Sequence, residues 1–88
     1  MLKRFWFVRN PEDRFGVHNF GVTASTKQEA SDILFTHLKE FEPEVSRQIH
    51  SETEVIENID VRLLDQNHII PNIGVVSFKG IWWPKLNL

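Results

Sequence analysis

The sequence predicts an α+β domain, a four-stranded mixed sheet with one helix packed on one face. Three observations carry this expectation: an aromatic, alternating run near the N-terminus followed by turn formers, apolar residues at spacings of three and four in the middle, and a return to alternation after residue 54. In "LKRFWFVR", residues 2 to 9, Phe5 and Phe7 share one face of a strand while Arg4, Trp6 and Val8 share the other. "NPEDRFG" then supplies Pro11 and Gly16 for a reversal into a second strand at 17 to 24, with Phe20, Val22 and Ala24 on one side and Asn19, Gly21 and Thr23 on the other.

The helix is the clearest element. In "STKQEASDILFTHLKEF", Ala30, Ile33, Leu34, Leu38 and Phe41 form one apolar stripe. Thr26 with Glu29, or Ser25 with Gln28, makes a capping box at its start. Pro43 biases Glu42 away from helical geometry, so the helix ends near residue 41. Residues 44 to 62 admit both readings, because Val45, Ile49, Ile56 and Ile59 fit a helix while Val55, Glu57, Ile59 and Val61 alternate. A strand at 54 to 59 is favoured, with Asp60 capping one helical turn through Leu64 and a last strand, "VVSFKGIWW", at 75 to 83. Strand, strand, helix, strand, strand (ββαββ) closes most economically as a β-grasp-like sheet. A ferredoxin-like arrangement, with a second helix at 44 to 58, is the alternative.

At 88 residues, with 41% apolar and 25% charged, the chain suits a single domain over residues 1 to 88 with a modest core. It has no cysteine, which excludes disulfides, thiolate zinc sites and thiol catalysis and fits a reducing cytosol. The first ten residues are too charged for a signal segment or a membrane span, so a soluble cytoplasmic protein is expected. The net charge of −2 lacks the attraction to phosphate that nucleic-acid binding needs. Charge is uneven, however: residues 1 to 14 carry +2 and residues 40 to 60 carry −6, either a solvated face or a docking surface for a basic partner.

"FWF" in the first strand, "GVTAS" running into "EA" on the helix, and "NIDVRLLDQNHIIPNIG" near the end resemble a family of small uncharacterised bacterial proteins. The resemblance spans most of the chain, although residues 44 to 53 have no counterpart in it. It implies single-domain status and brings no activity, cofactor or catalytic residue.

Two constellations remain. "LLDQNHIIPNIG", residues 63 to 74, gathers Asp65, Asn67, His68 and Asn72 around Pro71. Read as structure, Asp65 bonds a backbone N–H two residues on, Asn67 and Gly74 suit left-handed backbone, Ile69 and Ile70 anchor the loop in the core, and Asn72 satisfies loop backbone groups. Read as a site, His68 is a general base or metal ligand oriented by Asp65, with His18, His50 and Asp60 as distant helpers. No spacing typical of a metal, nucleophile or phosphate site accompanies it, so neither a metal nor a cofactor is expected. The second constellation is aromatic. Adjacent Trp82 and Trp83 on a strand point to opposite faces, so one of them joins Trp6 and Arg4 on the face the helix leaves open. That face either packs under a loop or forms an interaction surface, with Arg4 or Lys79 at its rim. The expected role is a non-enzymatic domain that binds a protein partner or self-associates through this aromatic face. Its rivals are an acidic inhibitor of immunity or antitoxin type and a small enzyme or ligand-binding domain centred on Asp65 and His68.

Overall fold

The computed structural model of the chain describes residues 1–46, 53–67, 69–73 and 76–84. They form an α+β fold with strands β1 (Lys3–Val8), β2 (Phe20–Ala24), β3 (Glu54–Glu57) and β4 (Gly80–Trp83) and a main helix α1 (Lys27–Phe41), followed by a single helical turn, α2 (Pro43–Ser46). The sheet order is β3-β1-β2-β4, and all three pairings are antiparallel. The sheet is therefore antiparallel and not mixed. A β-grasp sheet would set the first and last strands side by side at its centre, whereas here β1 and β2 fill the centre and β3 and β4 are the edges.

The physical reason lies in the connection after β3. β3 and β4 stand at opposite edges, so the chain between them must cross the whole sheet, and it crosses the face that α1 leaves bare. Two cores result. On the helix face, Phe5, Phe7, Phe20, Val22 and Ala24 meet Ala30, Leu34 and Leu38. On the opposite face, Trp6, Val8 and Trp82 meet Ile59, Leu64 and Ile69, with Ile70, Ile73 and Val76 packed around them. Both alternations expected of the first two strands are present in these clusters.

Helix α1 starts at a Thr26 cap whose Oγ1 accepts from the Glu29 N–H at 3.0 Å, while Glu29 Oε1 accepts from the Ser25 N–H at 2.8 Å. The box thus closes one residue outside the cap. Glu42 leaves helical geometry (φ −143°, ψ 65°), and Pro43 then opens α2. The apolar stripe is narrower than its sequence spacing implies, because Phe41 at the end of α1 is 64% exposed. Among the described residues, 44 to 58 contains only this one helical turn before β3, and the ferredoxin-like alternative is not what the sheet order shows.

All four strands are shorter than expected: β1 loses a residue at each end, β3 stops at Glu57 before left-handed Asn58 (φ 57°), and β2 and β4 lose more. β2 begins at Phe20, since residues 17 to 19 form a turn held by Asn19, whose Nδ2 donates to the Asp13 carbonyl (2.8 Å) and the Gly16 carbonyl (3.0 Å). β4 begins at Gly80, whose φ of +137° bends the chain where an L side chain is rarely tolerated. Ahead of that bend, the Val76 carbonyl accepts from buried Thr23 Oγ1 at 2.6 Å instead of joining a ladder. Asp60 caps a 3-10 turn at Val61–Leu63, as its position predicts.

Candidate functional site

The aromatic face is closed. Trp6 is 0% and Trp82 1% exposed, stacked on each other with ring centroids 5.7 Å apart and planes 24° apart. Trp6 Nε1 donates to the Arg14 carbonyl at 2.6 Å. Trp82 and Trp83 do not point to opposite faces. A β-bulge sets Gly21 opposite Trp83 and Val22 opposite Ile81, so two residues of β4 occupy one step of β2 and both indoles lie on the loop face. Trp83 is half-buried there, with Nε1 donating to the Val17 carbonyl at 3.2 Å. Arg4 Nε donates to the Ile59 carbonyl at 3.0 Å, and Lys79 Nζ meets Glu29 Oε2 at 3.1 Å, so neither forms the rim of an open patch.

Energy decides what this means for binding. Two tryptophans burying roughly 200 Å² each, at about 25 cal/mol per Å², gain about 10 kcal/mol in gross transfer free energy. That is as large as the whole net stability of a typical domain. Trp6 and Trp82 are structural, and uncovering them for a partner would undo the fold.

The 63–74 loop is likewise held by structure wherever it is described. Asp65 Oδ1 accepts from the Asn67 N–H at 2.8 Å, the Asx turn expected from its position. The Asp65 carbonyl accepts from the N–H groups of Ile69 and Ile70, both at 3.1 Å, and the Asp65 N–H donates to the Phe15 carbonyl at 3.1 Å. Ile69 is fully buried, and Ile70 opens a 3-10 turn through Asn72. Among the described residues the left-handed non-glycine is Asn58, at φ 57°, and not Asn67, which is exposed. His68, His50, Gly74 and the Asn72 side chain lie outside the described residues. His18 sits exposed in the turn before β2, not within a strand, and among the described residues no group of three His, Asp or Glu side chains could hold a metal ion.

The acidic segment is partly consumed by the fold. Antiparallel pairing of β1 with β3 brings the basic N-terminal region against it: Lys3 Nζ pairs with Glu57, and Arg14 Nε donates to Glu54 Oε1 at 3.1 Å. Asp60 takes Arg62, with Nη2 2.8 Å from Oδ2, and that hydrogen bond, with the Arg62 backbone N–H on Oδ1, lowers the Asp60 pKa to about 2. Glu52 lies outside the described residues. Glu40, in the last turn of α1, and Glu42, just beyond it, are exposed.

What the surface does offer is a groove between α1 and β4, open to solvent and about 570 Å³ in volume. Its helical wall has two rows spaced by four residues: an inner row of Ile33, His37 and Phe41, and an outer row of Asp32, Thr36 and Glu40. Its floor is Gly80 and Ile81 of β4. The His37 and Phe41 rings touch at a centroid distance of 4.9 Å, which stands Phe41 up as one wall. A smaller pocket of about 180 Å³ between Arg9, His18, Asn19, Glu42 and Pro84 is polar, and its Asn19 is already committed to backbone partners. The groove was not anticipated from the sequence, though His37 carried a signal. It interrupts the Ile33–Phe41 row but not the Ala30–Leu34–Leu38 row, and so marks the former as the border of the core.

No family model matches the chain, and no curated protein or solved structure matches it either. No helix among the described residues is long and apolar enough to cross a membrane.

Proposed function

We propose that the chain is a small, cofactor-free, non-enzymatic protein-binding domain whose contact surface is the α1–β4 groove and not the tryptophan face. The observation that carries this reading is Phe41: a phenylalanine that stays 64% exposed at the wall of an apolar groove gains its burial only from something outside the described fold. The groove is wide and open, which suits a protein segment better than an enclosed small ligand. Strand addition is a poor alternative. Both edge strands have only four residues, β3 carries Glu54 and Glu57, and β4 is bulged and followed by Pro84, all features that blunt an edge. The inhibitor reading is weakened where Glu54, Glu57 and Asp60 already have basic partners within the chain.

The test is a peptide-display selection against the immobilised chain, with binders re-assayed on Ile33→Glu and Phe41→Glu variants whose melting is first checked against the parent. The reading expects binders that lose affinity on both variants. Binders that all tolerate both substitutions would overturn it.

A further inference from the structure

We propose that the occupant of this groove is a cationic amphipathic helix of a partner protein, lying beside α1 and over β4. The proposal rests on the groove being the contact surface, and it names what fills it.

The helical wall and apolar lining of the groove argue for a helix. Four strands spaced about 4.8 Å apart make a sheet roughly 19 Å wide, whereas one helix is about 10 Å across, so α1 covers about half of its face. On the β3 side the remainder is filled from within the chain, since Val45 of α2 and Val55 pack onto the helix-face core. On the β4 side Ile81 is only half-buried and Phe41 stands free. Ile81 and Phe41 thus leave an apolar strip along the border between α1 and β4, with a helix for one wall, the setting in which an amphipathic helix docks by its apolar stripe.

Charge argues for the sign. The groove lining contains Asp32 and Glu40 and no lysine or arginine. Asp32 accepts from Gln28 Nε2 at 3.0 Å, a neutral partner that leaves its charge uncompensated, and among the described residues Glu40 has no ion pair. The two carboxylates lie eight residues apart on α1, about 12 Å at 1.5 Å per residue. A partner helix meets that spacing with lysines or arginines seven or eight residues apart. The same two acids disfavour a second copy of this chain, because two such grooves facing each other would set like charges together.

Three labelled 14-residue peptides test this by fluorescence anisotropy: one with a leucine stripe at helical spacing and two lysines seven apart, one with those lysines replaced by glutamates, and a scrambled form of the first that has no stripe. The striped lysine peptide should bind, roughly tenfold tighter than the glutamate peptide from two solvent-screened ion pairs, and less tightly as salt rises. The Asp32→Lys, Glu40→Lys double variant, at two exposed positions, should reverse the preference. Equal binding of the lysine and glutamate peptides would overturn the charge assignment while leaving the groove reading intact. Equal binding of the scrambled peptide would reduce the interaction to bulk charge and overturn the helix. Failure of all three, when display-selected binders still depend on Ile33 and Phe41, would overturn this inference alone. Loss of both kinds of binding would remove the groove reading with it.

Discussion

Replacing Gly21 with alanine tests the buried tryptophan face at its tightest point. A Cβ on Gly21 would lie 2.5 to 2.6 Å from three atoms of the Trp82 six-membered ring, against an ordinary carbon–carbon contact of about 3.5 to 4.0 Å. The ring must retreat by about 1 Å, yet it is 1% exposed and stacked on Trp6. Overpacking of this kind costs about 1 to 3 kcal/mol. Alanine also narrows the unfolded ensemble, which offsets about 0.4 to 1 kcal/mol. The net loss is then about 1 to 2 kcal/mol, a fall in Tm on the order of 4 to 16 °C for a domain of this size. Thermal and urea melts followed by circular dichroism read it directly. Trp82→Phe removes the ring atoms that the new methyl meets, so the double variant should lose less than the sum of the singles, with a coupling of about 1 kcal/mol. A Gly21→Ala variant that melts with the parent, or effects that add, would refute the placement of Trp82 over Gly21.

Asp65→Ala should cost about 1 to 2 kcal/mol in urea denaturation through loss of the bond to the Asn67 N–H. Thr26→Ala should cost about 1 kcal/mol by uncapping α1, read by the same melts. Asp60, with its pKa lowered to about 2 by Arg62, stabilises the fold fully above the usual aspartate value near 4, and that contribution is lost as pH falls through about 2. Carbon-detected NMR titration should show the low midpoint, and Arg62→Ala should move it up toward the ordinary aspartate value.

Local features were legible in the sequence because local rules decide them. The helix with its Thr26 cap, the alternation of Phe5 and Phe7 against Trp6, the Asp60 turn and the Asp65 Asx turn all follow from neighbours within four residues. Strand order did not follow, since it depends on which way the chain crosses after β3, and both sheet faces are apolar enough to accept the crossing. The expected aromatic face of Trp6 and Arg4 with one of Trp82 and Trp83 is not open, Trp6 and Trp82 being buried and Trp83 and Arg4 half-buried, for two linked reasons. The crossing segment covers that face, and a bulge at Trp82 and Trp83 breaks the strict alternation of an ideal strand. The candidate site shifted accordingly. Phe41 fits the apolar spacing of α1, but as the last residue of the helix it stays 64% exposed beside β4.

Binding at the α1–β4 groove is read residue by residue from a chemical-shift footprint on isotopically labelled protein with a groove-dependent display-selected peptide bound. Shifts should concentrate at Ile33, His37, Phe41, Gly80 and Ile81, with the indole N–H signals of Trp6 and Trp82 and the amide of Ile69 unmoved. Shifts at Trp6, Trp82 and Ile69 with the groove amides unchanged would show instead that binding runs through the tryptophan face.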